Sequence, residues 1–325
     1  MKRHIGVQAL ILAAEESQRC IVTRDKAERM ALARRVQAGD MRRVLPGMYV
    51  RSSVWESLSA PDRTLHMARA WSVNHTVLGF AGITAATAYG FDHQWLLHDG
   101  GLTIATHLRG GCHTFGPIRY IYVPQSHMNK EMVAGVVVTT PARTIFDCAQ
   151  SMDFRLALPI AISAVRKGVR FEDVMDVCVR MRRGSRRICT LMRYANAATE
   201  NGGEAFALGT MLEEGIPMPR LQQGFTDPQT GRQYWADFVW RLDNGRVVVG
   251  EYDGMRKYVD TDMASGKSIR GVVNDERIRE SAIIRAGASD VVRFGFADVL
   301  NRAPLLAKLF EKGVPRSGVR VSQIW

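Results

Sequence analysis

Three acids in the last third of the chain, Asp237, Glu251 and Asp253, are the residues whose type and spacing suit hydrolytic chemistry. Glu251 and Asp253 stand two apart, directly behind the apolar run Val247-Val248-Val249-Gly250. Side chains alternate along a β-strand, so these two share one face, and Asp237 on the preceding strand joins them if the hairpin register allows. Like charges gathered this way repel unless something cationic lies among them. The expected cation is Mg2+ or Mn2+, since Mg2+ takes one or two carboxylates and leaves its other positions to waters and a phosphate oxygen. An ion held there lowers the pKa of bound water and stabilises the charge that develops on a phosphodiester. A plainer alternative makes Glu251 and Asp253 solvent-facing acids of an edge strand. Their apolar lead-in argues for a central strand, where an acid without a partner is costly.

Four further residues belong to this constellation. Glu204, on a helix before the strands, is either a further ligand or water-holder, or a first-turn acid that favours the helix dipole. Lys257 follows the turn at Gly254 and is a candidate cation beside the attacking water. Arg277 and Arg279, on the next helix, are candidates for gripping phosphates. A solvated face is the alternative for Lys257 and for each of the two arginines.

The elements that must position these residues are legible in outline. A helix over 204–214 closes at Gly215, and strands follow over 221–226, 234–241 and 246–253. Their turns are Asp227-Pro-Gln-Thr-Gly231 and Asp243-Asn-Gly245, the second a strong hairpin signal. A helix over 272–285, a strand over 290–294 and a last helix over 297–312 complete an α/β layer. Its final strand can run parallel to a neighbour through a helical crossover.

Upstream, residues 7–50 read as helix, short extended piece, helix and hairpin. Thr23 is the expected N-cap of the second helix, Gly39 its stop, and Pro46-Gly47 the hairpin turn. Helices followed by a basic hairpin make a winged-helix shape, in which a helix meets the major groove and the wing touches phosphate. Residues 63–150 mix helices over 63–73 and 81–89 with strands over 102–106, 119–123 and 136–140. Small residues there indicate close packing, and the histidines show no metal-ligand spacing. Helices over 142–150, 153–167, 171–181 and 185–195 lead to Asn201-Gly202-Gly203, a punctuation that marks the main domain boundary. The expected organisation is a multidomain α+β chain: a winged-helix-like domain over 1–55, a mixed α/β domain over 56–150, a helical bridge over 151–200 and an α/β domain over 201–315.

Charge points the same way as the site. The chain carries a formal net charge of +12, a field that attracts polyanions. Arg24, Lys26, Arg29, Arg34, Arg35, Arg42, Arg43 and Arg51 stand against only Asp25, Glu28 and Asp40, and a second basic cluster includes Arg180, Arg182, Arg183, Arg186 and Arg187. A solvated face explains either cluster alone; together with the whole-chain excess they favour a nucleic-acid partner, with Arg34, Arg35, Arg42 and Arg43 touching phosphate. The five cysteines lack zinc or disulfide spacing and read as buried thiols of a reducing cytoplasm. No apolar run approaches the length of a membrane span, and the N-terminal stretch reads as an amphipathic helix, not a secretory leader.

Ala236-Asp237-Phe238, Val247-Val-Val-Gly-Glu251-Tyr-Asp253-Gly254, Asp275-Glu-Arg277 and Asp290-Val-Val-Arg293-Phe294 resemble the DUF559 and very-short-patch-repair-like branch of the PD-(D/E)xK nuclease superfamily. The likeness spans residues 200–312. It implies a restriction-endonuclease-like fold with Asp237 and Glu251 as the metal-binding acids and Asp253 in an E-x-D-G variant of the motif. The superfamily lysine, two places after the glutamate, is replaced by Asp253, and Lys257 is the candidate stand-in. Residues 31–50 (Ala-Leu-Ala-Arg-Arg-Val-Gln-Ala-Gly-Asp-Met-Arg-Arg-Val-Leu-Pro-Gly-Met-Tyr-Val) and Thr139-Thr-Pro141-Ala-Arg143-Thr-Ile-Phe-Asp147 resemble the AbiEi-type antitoxins of type IV toxin–antitoxin systems. Between Thr23 and Ala31 the chain is shorter than that family's pattern, in the turn that precedes the groove-reading helix. Two functions follow from the resemblances: a Mg2+- or Mn2+-dependent DNA endonuclease, or a non-catalytic DNA-binding regulator or antitoxin with a cognate toxin as partner.

Overall fold

Helix starts and stops follow local chemistry in the computed structural model, which describes residues 5–108, 114–125, 128–195, 198–254, 269–316 and 320–325. It is a mixed α/β protein that divides into two compact units. Unit 1 is Met1–Ser151 with Gly168–Ser185, and unit 2 is Met152–Lys167 with Arg186–Trp325. Among the described residues no helix is long and apolar enough to cross a membrane.

Unit 1 begins with α1 (Ile5–Glu16), β1 (Ile21–Val22), α2 (Lys26–Gln37), β2 (Met41–Leu45) and β3 (Met48–Arg51). The strands form a three-stranded antiparallel sheet in the order β1-β3-β2. Val7, Ile11, Leu32, Met41 and Tyr49 make its core. The N-cap of α2 is Asp25, whose carboxylate accepts the Glu28 N–H at 2.8 Å. Thr23 was the expected cap; its hydroxyl donates to the Glu28 side chain and accepts the Asp25 N–H instead. Gly39, at φ +79°, ends the helix as expected.

The rest of unit 1 contains α3 (Ser52–Ser57), α4 (Ala60–Asn74), α5 (Gly82–Ala88), β4 (Leu102–Thr106), β5 (Thr114–Phe115), β6 (Ile118–Tyr122), β7 (Lys130–Val133), β8 (Val136–Thr139), α6 (Pro141–Ser151) and, beyond the crossover, α8 (Phe171–Met181). The short elements α3, β5 and β7 were not foreseen; β7 alternates too weakly to be read and is held by antiparallel pairing with β8. Arg143 and Asp147 of α6 form a buried ion pair at 2.9 Å, and Arg143 also donates to the Tyr122 carbonyl. Burial pushes Asp147 up to about 6 despite that partner. Thr64, His98, His93 and the Phe91 carbonyl form one hydrogen-bonded row, with 2.7 Å between the two Nε2 atoms. Burial lowers both rings, His98 to about 4. Cys20, Cys148 and Cys178 are buried thiols, whereas Cys189 is exposed, contrary to expectation.

Unit 2 comprises α7 (Phe154–Arg166), α9 (Ser185–Tyr194) apart from its first residue, α10 (Gly202–Glu213), β9 (Arg220–Thr226), β10 (Gln233–Arg241), β11 (Val247–Asp253), α11 (Ile269–Arg285), β12 (Asp290–Gly295), α12 (Phe296–Asn301), α13 (Ala303–Glu311) and α14 (Val321–Ile324). The helices of residues 151–200 are thus apportioned between the units. The sheet has the order β12-β11-β10-β9. β9, β10 and β11 pair antiparallel, and β11 and β12 pair parallel, as α11 makes the crossover.

One sheet face packs Val247 and Val249 with Ala282 and Ile283 of α11. The other brings Phe238, Trp240, Phe294 and Tyr252 together in an aromatic cluster, in which Phe238 and Trp240 stack and the other rings meet at a tilt. Every residue of α10 from Glu204 to Glu213 is buried, which fits a core helix that is apolar nearly all round. It lies so close to α7 that a Cβ on Gly209 would fall 2.7 Å from the Arg155 Cα. The expected single C-terminal helix is two, α12 and α13, broken at Arg302 with φ +59°. Pro304 follows the break, where it suits a helix start.

Candidate active site of the second unit

The site forms where β10 and β11 part. Their ladder runs from Arg241↔Val247 to Phe238↔Gly250, and one more step in that register sets Asp237 against Glu251. Beside them, the β9–β10 ladder passes from Ala236↔Gln223 to Phe238↔Leu221. At the step between, Gln222 has φ +45°, a left-handed conformation that costs a non-glycine residue about 1 kcal/mol or more. Tyr234, Ala236 and Val239 all lie in the core under α11. The odd spacing from Ala236 to Val239 means that strict alternation breaks at Asp237, so Asp237 and Phe238 both turn to the α10 side.

There Asp237 enters a network that starts on α10. Asn201 caps that helix by accepting the Gly203 and Glu204 N–H groups, and its amide donates to Glu204 Oε1 at 2.5 Å. Glu204 Oε2 accepts the Glu200 N–H at 2.7 Å and the Gln222 amide at 3.1 Å. The same Gln222 Nε2 donates to Asp237 Oδ1 at 3.3 Å. Asp237 Oδ2 accepts the Tyr252 N–H at 2.8 Å, across the gap where the strands separate. Glu204 is 4% exposed. Burial pushes its carboxyl up to about 7; the Asp237 and Glu200 charges add to this, and the Glu200 N–H and Gln222 hydrogen bonds oppose it.

Glu251 approaches from the α11 side, following Val247 and Val249 on the same face. It is 5% exposed and accepts from Arg279 Nη2 at 2.9 and 3.2 Å through its two oxygens. Burial raises it to about 7; the Arg279 guanidinium opposes the shift and the Asp237 charge adds to it. Asp237 therefore lies within electrostatic reach of both glutamates, which flank it from opposite sides of the sheet. Asp253, on the Glu251 face, pairs with Arg293 at 3.5 Å, and Arg293 also reaches Glu276 and Glu280 of α11.

Of the residues proposed from sequence, Glu251 and Asp253 share one face of β11 as expected, but Asp237 does not join them there: the break in alternation at Asp237 turns it to the other side, where Gln222 links it to Glu204. Lys257 lies outside the described residues. Arg279 is not on a solvated face: it joins Glu251 to the Trp235 carbonyl. Arg277 is exposed on α11. Gln222, Arg293 and the Tyr252 N–H were not anticipated. A glutamine in a strand carries no sequence signal of its left-handed backbone, and the reach of Arg293 depends on the parallel register.

Carboxylates of this kind suit a hard, oxygen-seeking cation such as Mg2+. Asp237 with Glu204, on the same side of the sheet, supplies such donors, whereas Glu251 on the far side is already matched by Arg279. Among the described residues no group of three or more His, Cys, Asp or Glu side chains is arranged to hold a metal ion. In unit 1, Arg34, Arg42 and Arg43 are exposed, while Arg35 is largely covered and lies 4.0 Å from Asp40.

No family model matches the chain, and no solved structure matches it. It is similar to two curated proteins of Mycobacterium tuberculosis: the uncharacterized protein MT2308 of strain CDC 1551 / Oshkosh and the uncharacterized protein Rv2248 of strain H37Rv. Each is 27% identical over 161 residues, which is 48% of this chain and 56% of the relative. The match spans about half the length of the curated relatives.

Proposed function

We propose that the chain is a nucleic-acid-binding protein whose second unit is a PD-(D/E)xK-like, metal-dependent phosphodiester-hydrolysing domain. The observation that carries this reading is the row Glu204, Asp237, Glu251 at the fork of β10 and β11. Two buried glutamates raised to about 7 beside an aspartate cost folding energy, and such clusters concentrate at functional sites. The order helix, three-strand meander, helix, parallel strand supports it, as does the excess of positive charge that draws a polyanion.

In this reading Asp237, with Glu204 on the same side of the sheet, would hold the cation, and Arg279 would exchange Glu251, on the far side, for a phosphate oxygen. A bound divalent ion supplies an activated water and charge stabilisation on the phosphodiester. Asp237 is oriented by its hydrogen bonds to Gln222 and to the Tyr252 N–H, so its carboxylate is set before any ligand arrives. The basic sheet and helix of unit 1, winged-helix-like in this reading, supply phosphate contacts through Arg34, Arg42 and Arg43.

The test is incubation of plasmid and single-stranded DNA with the full chain and Mg2+ or Mn2+. Cleavage is expected, and Asp237→Asn or Glu204→Gln abolishes it while the variant keeps a cooperative thermal unfolding transition.

A second reading, a non-catalytic DNA-binding regulator or antitoxin of a type IV toxin–antitoxin pair, draws on a different observation. Asp253 stands where the superfamily carries lysine, and Glu251 and Asp253 are already matched by Arg279 and Arg293. Metal-independent binding that weakens steeply with salt, with no cleavage of any DNA form, selects this reading over the first.

A further inference from the structure

We infer that Trp235 is a stacking platform for an unpaired nucleobase beside the acid fork, so that the nucleic acid taken by this unit is single-stranded or locally unpaired there. The inference rests on the reading of the fork as a nucleic-acid site.

Tyr234 and Ala236 point into the core beneath α11. Trp235, between them, therefore points the other way, toward the side to which Asp237 turns. The residue is 51% exposed, unusual for a tryptophan of a central strand; Trp240 of the same strand is buried. The cross-strand partner of Trp235 is Gly224, which brings no side chain to cover the indole. A Cβ added at Gly224 would fall 3.5 Å from the ring and 2.6 Å from the Gln233 amide. The ring thus lies over bare backbone with room above it.

The backbone beneath the indole is held firmly. The Trp235 carbonyl accepts from Arg279 Nη2, the same nitrogen that grips Glu251. The Trp235 backbone and Glu251 are thus tied to one guanidinium. Asp237 lies two residues further along β10, roughly 6.6 Å by strand rise, a distance on the scale of one nucleotide. A phosphate at the fork leaves an adjacent base within reach of the indole, provided the face of that base is free. In a duplex, neighbouring bases cover both faces; in a single strand, bulge or flipped nucleotide one is open. Stacking of this kind tolerates any base, because every base has a π-face.

The experiment measures binding of the full chain, without divalent metal, to labelled oligothymidylate, to a strand of equal length with abasic sites, and to a duplex. Trp235→Ala is expected to weaken oligothymidylate binding at least about 5-fold, to the level of the abasic strand. Duplex affinity and the salt dependence stay as in the wild type, since the basic groups that meet phosphate are all still present. Trp235→Phe, which keeps a ring, retains most of the affinity, and matching thermal midpoints exclude unfolding. Wild-type affinity in Trp235→Ala, or equal losses on all three nucleic acids, overturns the inference and leaves the proposed function standing. A wild-type chain that binds no nucleic acid and cleaves none overturns both.

Discussion

At the scale of single residues, Glu204 shows how the acid fork sets its own cost. Its folded-state pKa is raised from 4.5 to about 7, chiefly by burial. The folded state therefore holds the proton more tightly than the unfolded chain, and by linkage the contribution of this group falls as pH rises from about 4.5 to about 7. Glu204→Gln replaces the carboxyl with a neutral side chain of similar shape. Thermal midpoints of the wild type should fall relative to those of Glu204→Gln across that window and stay offset above it. Parallel curves for the two proteins would mean that Glu204 is not strained by its surroundings. Addition of Mn2+ at neutral pH should recover part of the wild-type loss, if the cation binds beside the ionised row.

At the scale of elements, the fork exists because α10, β10 and β11 meet with almost no slack. Gly203, in the first turn of α10, lies against Tyr252 of β11; a Cβ there would fall 2.4 Å from the ring and 2.8 Å from its hydroxyl oxygen. Alanine is the better helix former by roughly 1 kcal/mol, so propensity alone predicts that Gly203→Ala stabilises. Overpacking should win, with a net destabilisation of about 1–3 kcal/mol in urea unfolding. In a Tyr252→Leu background the same change should become neutral or favourable. Additive effects of the two substitutions would show that helix and strand do not press on each other. The anchor at the far end of the sheet is similar in kind: Arg285 of α11 holds Asp227 of the β9–β10 turn through two hydrogen bonds, at 3.1 and 2.7 Å. Strand register and helix placement are thus locked at both ends of the layer.

At the scale of the whole molecule, charge governs encounter. A net charge of +12 sets up a field that attracts polyanions in general, and in unit 1 the β2 arginines Arg42 and Arg43 project into solvent. A chain with Arg42→Ala and Arg43→Ala should bind duplex DNA more weakly at every sequence. The slope of log affinity against log salt should become shallower by about 0.9 for each phosphate that is no longer neutralised. An unchanged slope would remove the β2–β3 hairpin from the nucleic-acid interface and leave the attraction to the remaining basic surface.

The amino-acid sequence by itself determined what depends on near neighbours. Alternation and turn chemistry placed β9, β10 and β11, with Asp243-Asn-Gly245 closing the second hairpin at a glycine of φ +80°. The apolar run before Glu251 marked a buried strand, and Glu251 is indeed covered. Tertiary structure alone decided which groups meet across the sheet. Gln222 takes a left-handed backbone that no local preference asks for, and through it one amide bridges Glu204 and Asp237. Arg279 and Arg293 reach their acids only because α11 returns over the sheet and β12 docks in parallel register. Local sequence carries backbone preferences that act over a few residues, whereas the energy of a buried charge is set by whatever the rest of the chain folds against it.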